Sequence, residues 1–277
     1  MIKLAADWTD YEIIATGGGQ KLERWGSLIL LRPDPQIIWE PPFDLQKYAG
    51  LTAAYGKTGW SRTYGKPFEI TYKGMKFMCK LQGFKHTGLF PEQAANWDRL
   101  SEICKPGARV LNLFAYTGAA TVTAALAGAH VTHVDASKGM VERAKQNCAL
   151  SGVNAKNTRF IVDDCLKFVQ REARRGCKYD AVVMDPPSYG RGTNGEVWKL
   201  EDTLFALVKA TGSIINSNPL FCLINSYTTG LSPTVMGNII KIVFGGGGAQ
   251  ENYELGLPTS DRGIVLPCGS SSFHIWK

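Results

Sequence analysis

The sequence predicts an α/β protein in which a doubly wound, mostly parallel sheet follows a small β-rich unit. From residue 109 onward, short apolar runs alternate with segments of helical periodicity, as strands and helices do when helices cover both faces of a parallel sheet. Residues 1–90 instead consist of short alternating runs separated by Gly and Pro, which is typical of strands. We therefore predict a small β-rich N-terminal domain of residues 1–90 and an α/β domain of residues 91–277.

The N-terminal unit contains three segments with strand character. "SLILLRP" at 27–33 and "QIIWEPP" at 36–42 are β-rich runs that end at proline, which cannot donate to a sheet ladder. "FEITYKGMKFMCK" at 68–80 alternates apolar and polar residues on both sides of Lys73-Gly74, and such a centre favours a hairpin. We expect two strands and one hairpin in this part of the chain.

Four strands lie in the middle of the chain. They are "RVLNLF" (109–114), "HVTHVD" (130–135), "TRFIVD" (158–163) and "YDAVVMD" (179–185). Each of the first three runs into a segment with helical character. Ser137 stands at an N-cap position for the second of these helices, and Gly128 and Gly152 follow the first two.

The C-terminal part continues the alternation of helices and strands. Residues 200–212 carry a one-faced apolar stripe, and "PLFCLINS" at 219–226 is a fifth strand. Ser232-Pro233 starts another helix, because proline is favoured at the first helical position. "ENYELGL" (251–257) and "SSFHIW" (271–276) close the chain as two strands, which we expect to pair with each other.

The composition excludes several classes of protein. Of 277 residues 44% are hydrophobic, yet no apolar run approaches the roughly 20 residues that a membrane helix needs. The first ten residues lack the basic region and apolar stretch of a secretory signal. Seven cysteines without CxxC spacing argue against a disulfide framework and a zinc site, and they favour a reducing cytosol. The net charge of +7 suits a polyanionic partner, and a solvated basic surface explains it equally well.

Acidic residues stand at the ends of the predicted parallel strands. Asp135 ends the second strand, Asp163 and Asp164 follow the third, and Asp185 ends the fourth. Ligands of such sheets bind beyond the carboxyl ends of the strands, so we expect these residues to be neighbours in space. The first strand runs into a turn at Gly118, where backbone N–H groups face a ligand at the start of a helix. Since an acid after this turn can accept hydrogen bonds from ribose hydroxyls, an adenosine ligand is predicted.

Two adenosine cofactors compete for this arrangement. NAD requires glycines that bring the backbone close to its pyrophosphate, whereas the turn here reads "FAYTG" (114–118), with bulky residues in those places. S-adenosylmethionine has no phosphate, and its cationic methionyl end prefers carboxylates to Lys or Arg. The acidic strand ends therefore favour S-adenosylmethionine.

Several segments resemble one family of enzymes. "LNLFAYTGAATVTAALAGAHVTHVDASKGMVERAKQNCALSGV" (111–153), "FIVDDCLKFV" (160–169) and "VVMDPPSYG" (182–190) are similar to the class I S-adenosylmethionine-dependent methyltransferases. Together with "TGLFPEQAANW" (87–97), they resemble the bacterial branch that modifies bases of large-subunit ribosomal RNA. The similarity extends over residues 68–277. It implies a Rossmann-like, seven-stranded doubly wound sheet whose last two strands form a reversed hairpin.

The resemblance also implies a set of cofactor residues. It places the turn after the first strand beside the methionyl part, Asp135 on the ribose, and Asp164 with Cys165 on the adenine. Asp185 and Pro186 would border the transferred methyl group. One departure is Asn112, where many relatives have an acid. The expected cofactor residues are Gln93, Phe114, Tyr116, Thr117, Gly118, Asp135, Ala136, Ser137, Asp163, Asp164, Cys165, Asp185 and Pro186.

The atom that receives the methyl group is constrained by a missing cysteine. Methyl transfer is an in-line displacement, and the enzyme mainly holds the nucleophile and the methyl group in line. Carbon 5 of cytosine is a poor nucleophile, and enzymes that methylate it attack the ring first with a cysteine thiolate. In relatives of that kind the cysteine follows the prolines after the fourth strand or ends the fifth strand. Those places read "PSY" (187–189) and "NSYT" (225–228) here, so a base nitrogen is the expected acceptor.

Two residues are the expected catalytic ones. Asp185 would accept a hydrogen bond from an exocyclic amine, and Tyr189 would stack on a base that has swung out of its helix. Plainer roles fit the same side chains, since Asp185 can cap a loop, Tyr189 can be a packed surface aromatic residue and Asp135 can cap a helix. Enzymes that methylate adenine N6 carry an aromatic residue directly after the prolines, so Ser188 disfavours that assignment.

No metal site and no nucleophilic thiol are expected. Cys222 lies inside the fifth strand, where a buried structural role is the simplest interpretation. The histidines show no metal-ligand spacing; they are His86, His130, His133 and His274.

The expected function is a cytosolic S-adenosylmethionine-dependent methyltransferase that acts on an RNA base, ribosomal RNA foremost, at a ring or exocyclic nitrogen. Two other classes stay open: a non-catalytic RNA- or partner-binding protein that keeps this fold, and a methyltransferase for a small molecule or a protein. The N-terminal unit fits either an RNA-positioning platform or a lid packed on the sheet. Its basic and aromatic residues are Lys21, Arg24, Arg32, Lys57, Arg62, Lys66, Lys73, Lys76, Trp25, Trp39, Trp60 and Tyr64.

Overall fold

The computed structural model describes residues 1–62, 65–81, 83–191 and 197–276, with Arg191 described by its backbone. Its strands are β1 (Ile2–Leu4), β2 (Tyr11–Gly17), β3 (Gln20–Trp25), β4 (Leu28–Pro33), β5 (Leu51–Gly56), β6 (Gly59–Trp60), β7 (Phe68–Tyr72), β8 (Met75–Cys79), β9 (Arg109–Leu113), β10 (His130–Asp135), β11 (Thr158–Val162), β12 (Ala181–Met184), β13 (Tyr189–Arg191), β14 (Val197–Lys199), β15 (Phe221–Ser226), β16 (Ala249–Pro258) and β17 (Val265–Ile275). Its α-helices are α1 (Ala94–Ile103), α2 (Ala119–Leu126), α3 (Lys138–Leu150), α4 (Cys165–Arg174), α5 (Leu200–Gly212) and α6 (Pro233–Phe244). Short 3₁₀ helices span Leu45–Lys47, Pro91–Gln93 and Ala155–Asn157.

The chain divides into two compact units. The first, which we call the sheet unit, contains Met1–Ile2, Asn96–Glu254 and Gly269–Lys277. The second, which we call the β unit, contains Lys3–Ala95 and Leu255–Cys268. The domain border after residue 90 stays a prediction.

The sheet unit is built on the doubly wound sheet that the sequence predicts. The strand order is β1-β16-β17-β15-β12-β9-β10-β11. Strands β9, β10, β11, β12 and β15 pair in parallel, and β17 pairs with β15 in the antiparallel sense. Seven of these strands and the reversed terminal pair confirm the Rossmann-like prediction, and β1 adds an edge strand that was not predicted.

The central strands are mostly apolar and deeply buried because helices cover both faces of the sheet. Every residue of β12 and of β15 is buried. The core on one side joins β12 and β15 to one face of α4, α5 and α6, with Phe168, Leu204 and Met236 among its buried members. This packing fixes the strand ends, where the polar residues lie.

The β unit confirms the predicted hairpin. Its larger sheet has the order β2-β3-β4-β5-β6, and β7 pairs with β8 in the antiparallel sense. Lys73 and Gly74 join β7 to β8 with φ values of 45° and 83°. Two consecutive left-handed residues are what the tight hairpin turns require, which explains the Lys-Gly pair.

The predicted strand at 36–42 is wrong. "SLILLRP" contains β4, but the residues of "QIIWEPP" form no strand. The carbonyl groups of Ile37 and Trp39 instead accept hydrogen bonds from Gly19 and Gly18 at the β2–β3 turn, at 2.9 and 2.7 Å. These two hydrogen bonds tie the run to the β2–β3 turn, and the run connects one strand to the next.

Two members of the expected RNA platform are part of the core of the β unit. Trp25 is fully buried, and Arg32 is 6% exposed. The guanidinium of Arg32 donates to both carboxylate oxygens of Glu23, at 2.6 and 2.7 Å. A buried pair of this kind serves the fold and is closed to a polyanion. Lys57, Arg62, Lys66, Lys73 and Lys76 are exposed, and Tyr64 lies outside the described residues.

In the described parts of the chain, no helix is both long and apolar enough to cross a membrane. Across the same residues, no group of three or more His, Cys, Asp or Glu side chains is arranged to hold a metal ion.

Candidate active site

The acidic strand ends lie side by side at one edge of the parallel sheet. In the β9–β10 pair Leu113 is opposite Val134, and in the β9–β12 pair it is opposite Met184. Asp185 follows Met184 directly, and its backbone N–H donates to the Leu113 carbonyl at 3.4 Å. On the other side of β10, Asp135 is opposite Val162, the residue before Asp163. Residues far apart in sequence are therefore neighbours, as predicted.

The turn between β9 and α2 has an unusual backbone. Phe114 and Tyr116 have positive φ values of 54° and 50°, which side-chain-bearing residues rarely adopt. Such residues cost about 1–3 kcal/mol each and persist only where the surroundings fix them. Two hydrogen bonds do so: Phe114 N–H donates to Cys165 Sγ at 3.3 Å, and Tyr116 N–H donates to Asp135 Oδ2 at 2.9 Å.

Gly118 and Thr117 complete the turn. Gly118 has a φ of 85° and stands at the N-cap of α2 without a side-chain cap. A Cβ atom at this position would lie 2.7 Å from the Cβ of Ala144 on α3, so only glycine fits without a shift. Thr117 is buried, and its carbonyl accepts a hydrogen bond from Asn147 Nδ2 at 2.8 Å. The turn is thus anchored to α3 as well as to the neighbouring strand ends.

Asp135 is held by two backbone groups from opposite sides. Besides the bond from Tyr116, its Oδ1 accepts from Ser137 N–H at 2.8 Å. Burial raises the pKa of Asp135, and these two N–H donors oppose that effect. Ser137 itself is the N-cap of α3 and accepts from Met140 N–H. The helix cap is therefore Ser137, and Asp135 serves the turn at the strand ends. Ala136, between them, is exposed.

The end of β11 joins this group through main-chain bonds. Asp163 N–H donates to the Asp135 carbonyl at 3.1 Å, and the Asp163 carboxylate pairs with Arg171 at 2.6 Å. Asp164 is the N-cap of α4, where its side chain accepts from Lys167 N–H at 2.8 Å. Cys165 is 2% exposed, and burial raises the pKa of its thiol. Its sulfur accepts from the turn and is a structural part of the site.

Asn112, the departure from the expected acid, points into a buried polar cluster. Its Nδ2 donates to Thr121 Oγ1 at 3.0 Å, and the same hydroxyl contacts His133 Nδ1 at 2.9 Å. All three residues are buried. Burial lowers the pKa of His133 to about 3, so the ring is neutral. A neutral amide fits this neutral environment between β9, β10 and α2.

Asp185 contacts the next strand of the sheet. Asn225 Nδ2, at the end of β15, donates to Asp185 Oδ1 at 2.8 Å. Pro186 is buried, whereas Pro187, Ser188 and Tyr189 are exposed. Asn225 was not assigned a role from the sequence. The contact depends on strand order, since β12 and β15 pair in parallel and both end at this edge.

A hairpin follows the prolines. Tyr189 opens β13, is 52% exposed and is opposite Lys199 of β14. Trp198 Nε1 donates to the Pro187 carbonyl at 2.6 Å, and its ring lies 5.0 Å from that of Phe114. Ser188 and Thr228 share a hydrogen bond between their hydroxyl groups at 2.7 Å. The sequence interpretation missed both β13 and β14, which pair in the antiparallel sense.

The thiols in this part of the sheet unit are inert. Cys222 is 1% exposed within β15, and burial raises the pKa of its thiol, as it does for Cys165. A protonated, buried thiol is a poor nucleophile. Asn225 supplies an amide to Asp185, and three residues after Asp185 the Ser188 hydroxyl is paired with that of Thr228.

The strand ends thus bring together the expected cofactor residues that belong to the sheet unit. Gln93 ends the 3₁₀ helix Pro91–Gln93 and belongs to the β unit. Its role toward a cofactor stays a prediction.

Comparison with known proteins identifies the family. The model of an S-adenosylmethionine-dependent methyltransferase family matches residues 58–230. The crystal structure of an S-adenosylmethionine-dependent methyltransferase from Agrobacterium tumefaciens is 34% identical in sequence. The two structures superpose with a TM-score of 0.93, and the match covers 100% of this chain and 94% of that chain. A structure described as a methyltransferase from Streptococcus mutans is 21% identical, with a TM-score of 0.76 over 97% of this chain and 76% of that one, and supports the fold alone.

Curated relatives extend the comparison. The ribosomal RNA large subunit methyltransferase K/L of Shewanella baltica is 36% identical over 159 residues, which is 53% of this chain. The protein of the same name from Shewanella frigidimarina is 35% identical over 154 residues. This chain spans only 22% and 21% of the length of these relatives. The match to the family model and the similarity to the Agrobacterium protein are sufficient to show that the chain belongs to the S-adenosylmethionine-dependent methyltransferase family.

Proposed function

We propose that the protein transfers a methyl group from S-adenosylmethionine to a nitrogen atom of an RNA base, with large-subunit ribosomal RNA as the first substrate to test. The observation that carries the proposal is the Asp185 carboxylate, which is hydrogen-bonded to Asn225 beside the β9 turn and is followed by the exposed Tyr189. The names of the curated relatives support RNA as the substrate.

The cofactor fits the strand ends by its chemistry. Each oxygen of Asp135 accepts one backbone hydrogen bond and has capacity for a second, which the ribose hydroxyls would supply. Asp164 and Cys165 would lie at the adenine, and Phe114, Tyr116, Thr117 and Gly118 at the methionyl part. When bound, S-adenosylmethionine supplies an electrophilic methyl group.

Asp185 would act on the acceptor nitrogen. A carboxylate that accepts a hydrogen bond from an exocyclic N–H would orient the nitrogen and stabilise the positive charge that develops there as the N–C bond forms. It would then accept the proton that the nitrogen loses, with S-adenosylhomocysteine as the leaving group. Tyr189 would stack on the base. Both cysteines of this region are buried and protonated, so a covalent attack on a pyrimidine ring has no nucleophile among the residues described around Asp185.

Two further proposals concern the N-terminal part of the chain and the location of the protein. We propose residues 1–90 as a separate N-terminal domain that positions RNA through its exposed lysines or closes over the substrate as a lid. We also propose a cytosolic location, since a chain with seven cysteines and no CxxC spacing suits a reducing compartment.

Methyl transfer to RNA is the direct test of the proposal. Purified protein is incubated with S-adenosylmethionine carrying a labelled methyl group and with ribosomal RNA from a strain that lacks the gene. The RNA is then digested to nucleosides for mass analysis, and we expect the label in an N-methylated base. Label in 5-methylcytosine would contradict the nitrogen assignment. Label confined to protein or small molecules would contradict the RNA substrate.

Cofactor affinity should fall on acidification because of Asp135. Its pKa is raised, so this carboxylate gains a proton at a higher pH than an ordinary Asp and then loses acceptor capacity for the ribose. Calorimetry with S-adenosylhomocysteine between pH 7.5 and 4.5 should show weaker binding at the acid end. Asp135→Asn should bind about 10-fold more weakly at neutral pH and show a flatter pH dependence. Equal pH dependence in both proteins would remove Asp135 from the ribose site.

A further inference from the structure

Four hydrogen bonds connect Asp185 to the interior of the sheet unit. Asn225 Nδ2 donates to Asp185 Oδ1 at 2.8 Å, and Ser271 Oγ donates to Asn225 Oδ1 at 2.8 Å. Asn96 Nδ2 donates to Ser271 Oγ at 3.1 Å, and Tyr253 OH donates to Asn96 Oδ1 at 2.6 Å. We call these five residues the polar chain. It passes from β12 through β15, β17 and α1 to β16.

The strand register explains how the polar chain forms. Asn225 and Ser271 are directly opposite each other in the antiparallel β15–β17 pair, so their side chains leave the sheet on the same face. Asp185 follows β12, which is the parallel neighbour of β15 on its other side. Asn96 is in the first turn of α1, and Tyr253 is on β16, the strand on the far side of β17 from β15.

A carboxylate at one end determines the direction of every bond in the polar chain. An ionised Asp185 only accepts, so the amide nitrogen of Asn225 faces it and the Asn225 oxygen faces Ser271. Ser271 must then donate to Asn225 and accept from the Asn96 nitrogen. The Asn96 oxygen in turn requires a donor, and Tyr253 supplies it. All four donors therefore point toward Asp185.

Burial stabilises the donor-to-acceptor direction of the four hydrogen bonds. Asn96, Asn225, Ser271 and Tyr253 are each at most 2% exposed. Burial raises the pKa of the Tyr253 phenol, which therefore keeps its proton and remains a donor at neutral pH. Hydrogen bonds that run in one sense polarise one another, and a buried polar group without its partner is costly. Rotation of any one amide would leave two like groups facing each other.

We propose that Asn225 is the positioning residue of Asp185, and that Ser271, Asn96 and Tyr253 hold Asn225 in its donating orientation. The inference rests on the proposed function of Asp185 at the methyl-transfer site. With Oδ1 bound by Asn225, the orientation of the Asp185 carboxylate is restricted. The polar chain thus couples a tyrosine on β16 to the orientation of the catalytic carboxylate.

Kinetics of three variants test the proposal. Asn225→Asp keeps the shape but places a second carboxylate against Asp185, and Asn225→Ala removes the donor. Changes to groups that orient catalytic residues typically cost about 10–100-fold, so we expect kcat for RNA methylation to fall by about that factor. Tyr253→Phe should lower kcat by about 3–10-fold, because its effect reaches Asp185 through three further hydrogen bonds of the polar chain. The KM for S-adenosylmethionine should change by less than about threefold in all three.

Tyr179→Phe is the matched control. Tyr179 is 1% exposed, and its hydroxyl donates to Glu172 at 2.8 Å, outside the polar chain. Both substitutions remove one buried phenol hydroxyl from the sheet unit, so a merely structural effect would appear in both. A kcat that falls in Tyr253→Phe and stays at the wild-type value in Tyr179→Phe supports the proposal. Equal kcat values in the wild type and Asn225→Ala would overturn it.

A spectroscopic measurement separates this inference from the proposed function. The carboxylate carbon of Asp185 is observed by NMR in protein labelled with ¹³C-aspartate and assigned by its loss in Asp185→Asn. We expect Tyr253→Phe to shift this signal and Tyr179→Phe to leave it in place. If the wild type transfers no methyl to RNA, the proposed function fails while this signal still decides the polar chain. An unshifted signal in Tyr253→Phe would remove the coupling even in an active enzyme.

Discussion

Replacing Asp185 with alanine should lower kcat for methyl transfer by about 10²–10⁴-fold, the usual contribution of a positioned acid–base group. The carboxylate is the group that would hold the acceptor nitrogen, stabilise its developing positive charge and accept its proton. Affinity for S-adenosylhomocysteine should change little, because the proposed ribose and adenine contacts come from the ends of β10 and β11. Single-turnover methylation of RNA and calorimetry measure the two quantities separately.

Asp180→Ala is the control for Asp185→Ala. Asp180 precedes the same strand, at the opposite end of the sheet, and it too is bound by an asparagine. Its carboxylate accepts from Asn216 Nδ2 at 2.6 Å and from Arg109 N–H at 2.8 Å. Both substitutions remove a hydrogen-bonded carboxylate at a strand end, so they should cost similar stability, but Asp180→Ala should retain kcat. If Asp185→Ala kept more than a tenth of wild-type kcat, Asp185 would not be the catalytic carboxylate.

The fold could be predicted from the sequence because its signals are local. Periodicity identified the five parallel strands and the helices between them, and Ser137 and Ser232 start helices as N-cap residues. The hairpin at Lys73-Gly74 was predicted because few turns admit two residues with positive φ. The strand prediction for 36–42 was wrong because backbone carbonyl groups of that run bond to the β2–β3 turn and pair with no neighbouring strand.

The candidate site was only partly predictable, because some of its contacts join residues that are distant in sequence. Acids at strand ends must meet in a parallel sheet, so Asp135, Asp163 and Asp185 could be placed together from their positions alone. The bond between Asp185 and Asn225 depends on which strand lies beside β12, and Ser271 lies 46 residues beyond Asn225. Cys165 also shows the limit: the hydrogen bond from the Phe114 N–H to its sulfur joins two strand ends 51 residues apart in sequence, so neither segment alone predicts it.

Gly118→Ala should destabilise the sheet unit by about 2–5 kcal/mol and greatly weaken cofactor binding. A left-handed backbone costs a side-chain-bearing residue about 1–2 kcal/mol, and forcing a methyl group into a packed site costs about 1–3 kcal/mol. Here the φ is 85° and the new Cβ would lie 2.7 Å from the Cβ of Ala144 and 3.2 Å from its Cα. Relief of that contact must move the turn that binds Asp135. Thermal unfolding and calorimetry with S-adenosylhomocysteine measure both effects.

Two comparisons separate the backbone cost from the contact. Gly152 has a φ of 73° with nothing within 4 Å of its Cβ position, so Gly152→Ala should show the backbone cost alone, about 1–2 kcal/mol. Ala144→Gly removes the opposing methyl group, so the double variant Gly118→Ala, Ala144→Gly should lose less stability than the two single changes sum to. Simple additivity would mean that the Cβ contact is harmless. In that case the requirement for glycine would lie in the φ of the turn, and cofactor binding should survive in Gly118→Ala.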